Sequence, residues 1–145
     1  MAVRPSIGLR AVLLSAMRDA LSDAEIRIYS GAVPANSTEA IGSATLLCTV
    51  KRNGNAPLIF TENEPAVMSK PTEDVWTGDN INSSVATFYR LVNSEDDDAF
   101  SEDAVRLQGT VGVVGADLNL DTTLFTAGVP TPVRSYLVTV LAGTN

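Results

Sequence analysis

The chain of 145 residues is the size of one ordinary domain, and with 45% apolar and 19% charged residues it is not a wholly disordered protein. A formal charge of -7 repels phosphate backbones, and Arg4, Arg10, Arg18 and the Lys51-Arg52 pair form no basic patch, so neither nucleic acid nor a membrane surface is an expected partner. Histidine is absent, which removes Ser-His-Asp and Cys-His nucleophiles and nearly all zinc and iron sites, and a single cysteine cannot form an internal disulfide.

Residues 1–8 read as a lead-in, with Pro5-Ser6 suited to opening a helix. Leu9, Val12, Leu13, Ala16, Met17, Ala20 and Leu21 then recur at spacings of three and four, which predicts an amphipathic helix over 9–21. Its stripe has two possible seats, the sheet of its own chain or a neighbouring subunit. The apolar patch at 11–14 is broken by Arg18 and Asp19 too soon for a signal peptide, so the N-terminal segment is taken as part of the fold. No run approaches the roughly twenty apolar residues of a membrane-spanning helix.

Alternation over 25–29 predicts a first strand, with Ile26 and Ile28 on one face. The segment 32–43 is rich in Pro, Asn, Ser and Gly and reads as a surface loop. A second strand is expected over 44–50. It contains Cys48, which reads as a small buried hydrophobe because nothing nearby lowers its pKa. Asn53-Gly54 is a hairpin signal, with Leu58-Ile59-Phe60 as a candidate returning strand. Residues 61–80 hold two prolines, five acids and the only tryptophan, Trp76, and read as a long excursion with a brief strand or turn near 66–68. Trp76 has two readings, an anchor holding this excursion to the body and an exposed stacking surface for a ligand such as a sugar.

Residues 83–92 predict a strand with apolar groups on both faces, hence central or covered on both sides. The acidic run 93–103 lacks the Asp-x-Asp-x-Asp-Gly spacing of a calcium loop and reads as a solvated turn. The stretch 104–141 carries the densest alternation of all and is expected to be the sheet that the rest of the chain covers. Gly109, Gly112 and Gly115 recur in it without a following helix, so no phosphate-binding loop is implied. A last strand is expected over 133–141, then a frayed tail.

These elements predict a mainly β fold, an antiparallel β-sandwich of Ig-like or jelly-roll-like kind with one short N-terminal α-helix, all in a single domain over 1–145. No catalytic, cofactor-binding or metal-binding residues are expected, and no enzyme.

Three phrases resemble a group of small bacteriophage virion proteins: the N-terminal Leu-Arg helix ending near Asp19-Ala20-Leu21; Arg27-Ile-Tyr-Ser-Gly31 followed by Val33-Pro-Ala35; and Gln108-Gly-Thr-Val-Gly112 with Gly115-Ala-Asp-Leu-Asn-Leu120 and a strand ending Ser135-Tyr-Leu-Val-Thr139. The likeness spans both ends of the chain, and 53–80 is individual to this sequence. It implies a non-enzymatic component of a tailed phage virion, made in the host cytoplasm and forming homo-oligomers. A capsid decoration or cement protein, or a neck or collar protein, fits best, with the major capsid protein or portal and neck proteins as partners. Leu9, Val12, Leu13, Met17, Pro34 and Trp76 are the candidate contacts. A carbohydrate- or receptor-binding β-sandwich is the alternative, marked by exposed aromatics near Trp76, Tyr89 or Phe100. A small hydrolase with paired carboxylates ranks third.

Overall fold

The computed structural model describes residues 3–63 and 66–139. Helix α1 (Ile7–Ala20) is opened by Ser6, whose Oγ accepts the Leu9 N–H at 3.1 Å and so satisfies one of the first-turn donors. Among the described residues the strands that follow are β1 (Ala24–Ser30), β2 (Thr45–Arg52), β3 (Thr61–Asn63), β4 (Val67–Ser69), β5 (Trp76–Asp79), β6 (Ser84–Val85), β7 (Phe88–Asn93), β8 (Arg106–Gly112), β9 (Leu118–Asn119), β10 (Leu124–Phe125), β11 (Pro130–Val133) and β12 (Leu137–Thr139). They form a seven-stranded sheet in the order β11-β5-β2-β1-β7-β8-β9, a three-stranded sheet β12-β4-β3 and a ribbon β10-β6. The β8–β9 pair is parallel and the other pairs are antiparallel. The fold is mainly β and sandwich-like, with one short N-terminal helix, as the sequence predicts.

β1 lies between β2 and β7, and every one of its residues is buried. Registration of β1 with β7 puts Ile26 opposite Leu91 and Ile28 opposite Tyr89, while Arg27 faces Arg90 and Tyr29 faces Phe88. Side chains alternate across a strand, so the first set lies on one face of the sheet and the second on the other. The first face carries the main core, where Ile26, Ile28 and Leu91 join Leu14 of the helix, Leu21 at its C-cap, Trp76 and Tyr136. Each such buried large apolar side chain contributes about 1.5–3 kcal/mol. The second face is covered by the loops 31–43 and 93–103. β7 is thus covered on both sides, as its two apolar faces predict.

Several expectations need correction. The stretch 104–141 is not what the molecule is organised around: no residue of β8 is fully buried, because only the two-residue β9 lies beyond it, and the doubly covered pair β1–β7 takes that role. Leu58-Ile59-Phe60 forms no strand, its one tie to the sheet being the Leu58 N–H donated to the Ala24 carbonyl of β1, and the strand begins at Thr61. The excursion 61–80 is more ordered than expected and holds β3, β4 and β5. The predicted strand 83–92 divides into β6 and β7, since Ala86 N–H donates to the Thr123 carbonyl and Thr87 N–H to that of Tyr29, so the chain changes partner between adjacent residues. The expected strand 133–141 is interrupted at Arg134, Ser135 and Tyr136 between β11 and β12, and residues 140–145, with the predicted tail, lie outside the described residues.

The Asn53-Gly54 turn forms as expected, with both residues at positive φ, 54° and 80°, a conformation these two types adopt with least penalty. β11 is an edge strand of the large sheet. It carries Pro130 and Pro132, which have no N–H to offer a further strand.

Candidate functional site

Two surfaces stand out, on opposite faces of the seven-stranded sheet. The first is the outer face of α1. A body that takes one side of a helix leaves the other in water, and here both sides are apolar. Leu14 and Leu21 are 3% and 2% exposed and Met17 packs half-buried against the same core. Leu9, Val12 and Leu13, at 50%, 64% and 37%, face outward, with Ala16 and Ala20 beside them, also exposed. Of the predicted stripe, Met17 and Leu21 take the seat on the chain's own core, while Leu9, Val12, Leu13, Ala16 and Ala20 do not, so the stripe is divided and does not pack there as one unit. Arg18 of the helix pairs with Glu62 of β3, and Ser15 Oγ donates to the same carboxylate at 3.3 Å, fixing the rotation of α1 about its axis.

The second surface is an arginine platform under two loops. Arg27, Arg90 and Arg106 stand on β1, β7 and β8, on the face away from the main core. Arg27 Nε donates to Glu25 Oε2 at 2.7 Å, Nη1 to the Asp96 carbonyl at 2.7 Å and Nη2 to the Ser94 carbonyl at 3.0 Å. Arg90, fully buried, donates to Gln108 Oε1 at 3.0 Å and to the Glu39 carbonyl at 2.6 Å. Arg106 binds both oxygens of Asp96, and its remaining donors reach the carbonyls of Ser37 and Ala99. Gln108 Nε2 donates to the Pro34 carbonyl at 2.9 Å. Each guanidinium thus ties loop backbone to strand, a use suited to five fixed donors.

Burial alone lifts the pKa of the Asp96 carboxyl, but hydrogen bonds from Arg106 and the Asp98 N–H, with the charges of Arg106 and Arg27, outweigh it and hold the group below the usual carboxylate range. Tyr29 OH donates to Asp98 Oδ2 at 2.6 Å; burial, then this hydrogen bond to a carboxylate, raises its pKa well above normal, so it stays a neutral donor. Asp96 and Asp98 accordingly point inward to arginine and tyrosine. Among the described residues no three His, Cys, Asp or Glu side chains are grouped as a metal ligand set requires. The outer side of the loop borders an open crevice of about 380 Å³ lined by Asn93, Glu95, Asp96, Asp97, Ser101, Asp103, Ala104, Val105 and Arg106.

The remaining candidates are dispersed. Pro34 is half-buried in the 31–43 loop on the arginine face. Trp76 is 1% exposed, packed edge-on against Phe60 at 5.4 Å and tilted against Tyr136 at 6.3 Å. It anchors its excursion to the core and presents no surface to a partner or sugar. Tyr89 is buried too, its hydroxyl 2.9 Å from that of Tyr136, so of the three aromatics that would mark a stacking site only Phe100 is exposed. Cys48 is fully buried, and burial, with the Asp79 charge, pushes its thiol up to about 12.

The arginine platform was missed by sequence reasoning. Its signal was a basic or amide residue at the polar-facing position of each central strand, Arg27, Arg90 and Gln108, with a long polar loop after the strand. The fold and these two surfaces define a β-sandwich-like protein with a helix that is apolar on its outer side. Comparisons with protein-family models, curated proteins and solved structures find no match to this chain.

Proposed function

We propose that the chain is a non-enzymatic structural subunit of a tailed bacteriophage virion, of the capsid decoration or neck and collar type, and that it engages other virion subunits through the outer face of α1. The observation that carries the assembly role is the row Leu9, Val12 and Leu13, three apolar side chains side by side in water on one face of the helix. Contiguous exposed apolar surface is unfavourable in an isolated protein and marks interaction sites. The platform arginines direct most of their donors to loop carbonyls, and Arg90 Nη1, buried without a partner, is the donor left over. The placement in a phage particle rests on the resemblance of the terminal phrases alone.

The test is incorporation. Particles purified from cells expressing the encoding genome are analysed by quantitative mass spectrometry, with wild-type chain and with Val12→Asp/Leu13→Asp. The expected result is a fixed copy number per particle for wild type and loss of the variant from particles. Absence of the wild-type chain from particles overturns the reading.

A further inference from the structure

We infer that the 31–43 loop is a hinged strap whose carbonyl oxygens stand in for an external oxyanion, and that when the strap opens, Arg90, with Gln108 and one nitrogen of Arg106 beside it, binds a carboxylate, phosphate or sulfate group. The site lies on the sheet face away from α1 and is independent of the assembly reading above.

The donors stand together on neighbouring strands. Arg90 of β7 is opposite Gln108 of β8, and Arg106, two residues before Gln108, shares its face. Three carbonyls of one loop meet them: Glu39 at Arg90 Nη2 (2.6 Å), Ser37 at Arg106 Nη1 (3.1 Å) and Pro34 at Gln108 Nε2 (2.9 Å). A carbonyl oxygen accepts a hydrogen bond but carries no full charge. The charge of Arg106 is met by Asp96, and that of Arg27 by Glu25 and Asp98. Arg90 differs. It is fully buried, forms no ion pair among the described residues, and its Nη1 has no hydrogen-bond partner. Burial, then the Arg106 charge, outweighs the pull of Asp98, Tyr29 and Asp96 and holds its pKa below the ordinary guanidinium value. Buried charges are normally paired, and a guanidinium fork fits two oxygens of one carboxylate or phosphate. Arg90 is thus the platform cation whose charge remains to be matched.

The cover over it is built to move. Gly31 and Gly42, at its two ends, have positive φ of 100° and 65°, which glycine adopts without penalty. No residue from 32 to 41 is fully buried, and none belongs to the core cluster. The strap is also tied down by the Ile41 N–H to the Asp98 carbonyl, by the Ser101 N–H to the Thr38 carbonyl and by a longer bond from Arg90 to the Asn36 carbonyl at 3.4 Å. A segment held by hydrogen bonds with little buried apolar area opens at the low end of the free-energy range for local unfolding. Opening frees both terminal nitrogens of Arg90, Nη1 of Arg106 and the Gln108 amide at once, which is a donor set for one oxyanion.

The test is hydrogen exchange of the full-length protein in its native state, read at the Ile41 and Ser101 amides, in chloride and in phosphate, sulfate or acetate at equal ionic strength. An oxyanion that binds only the open strap raises exchange at both amides by the factor 1 + [L]/Kd, about elevenfold at ten times Kd, and leaves the β1 amides unchanged. Acceleration by phosphate and sulfate assigns the ligand to tetrahedral oxyanions, and acceleration by acetate to carboxylates. Arg90→Gln, checked for folding by circular dichroism, should abolish the acceleration. Gly42→Ala gives a second reading with the donors intact. A Cβ there meets nothing within 4 Å, so its cost is the left-handed backbone alone. It should open the strap roughly five- to thirtyfold more often and tighten apparent oxyanion binding by the same factor. Equal exchange in all four salts, for wild type and Gly42→Ala, overturns the site, as does acceleration that persists in Arg90→Gln. None of these variants touches α1, so particle incorporation decides the assembly reading separately.

Discussion

Arg106 holds Asp96 with both oxygens engaged, Nε to Oδ2 at 2.6 Å and Nη2 to Oδ1 at 2.7 Å, and the two side chains are 2% and 5% exposed. A two-pronged, buried pair of this kind joins β8 to a loop ten residues back in sequence. Removing one partner leaves the other charge largely buried without its counter-ion. Arg106→Ala is expected to destabilise the protein by about 3 kcal/mol or more and to release the Ser37 and Ala99 carbonyls together with Asp96. Denaturant unfolding measures the first effect, and faster hydrogen exchange confined to 93–103 and 36–41 the second.

The same pair fixes an acid dependence. The Asp96 pKa is lower in the folded protein than in the unfolded chain, so its contribution is fully present above the unfolded value, about 3.9, and is lost as pH falls through the folded value. Wild-type stability should therefore decline as pH drops below about 4, and Asp96→Asn should be less stable at neutral pH with a shallower decline. Unfolding free energies measured on both proteins across that range check the sign. Parallel curves would remove Asp96 as a source of acid lability.

Gly78 of β5 lies directly against the backbone of β2. A Cβ there would lie 2.0 Å from the Thr49 carbonyl oxygen and 3.0 Å from Cys48 Sγ. The first atom is backbone and cannot rotate away. Gly78→Ala should force β5 from β2, cost about 3 kcal/mol, and expose Trp76, the residue at the start of the strand, to acrylamide quenching that the wild type resists.

Cys48 should be inert. With its thiol buried and its pKa pushed up to about 12, the thiolate is scarce and unreachable near neutral pH. A disulfide reagent at about pH 8, the range of a free thiol, is expected to label it only at the rate of global unfolding. Labelling as fast as a small-molecule thiol would contradict the packing described.

The two sides of α1 make opposite predictions. Leu14→Ala empties a core site and should cost about 3 kcal/mol. Val12→Asp, on the outer side, should change monomer stability by about 0.5 kcal/mol or less. Thermal and denaturant melts of the two variants separate a helix that merely packs from one with a surface to spare. Deleting residues 1–21 outright cannot make this distinction, because it also takes Leu14 and Leu21 from the core.

The sequence made some of this legible and hid the rest for physical reasons. Ile26 and Ile28, the two apolar faces of 88–92, the Asn53-Gly54 turn and the burial of Cys48 could be read because local alternation and turn chemistry decide them. The extent of α1 could be read too, within about two residues, but not its orientation. Leu9, Val12 and Leu13 make as good an apolar stripe as Leu14, Met17 and Leu21, and only the Arg18–Glu62 pair and the shape of the core choose between them. The arginine platform was illegible because Arg27 and Arg90 are far apart in sequence, and each in isolation reads as the wet face of a strand. Within 61–80, β4 answers to the brief strand or turn expected near 66–68, whereas β3 and β5 were hidden by prolines and acids that local propensity assigns to loops.

One feature of the sheet bears on how such a protein behaves when many copies are made at once. An open edge with a full set of amide donors is a template on which another chain can add its own strand, and at high local concentration that route leads to amyloid-like polymer. With Pro130 and Pro132 in β11, this rim lacks two of the donors such templating needs. Association at that rim is left to side chains, which can be selective and reversible. A protein held at high concentration gains from that, because this rim does not lead its copies to cross-link through their backbones.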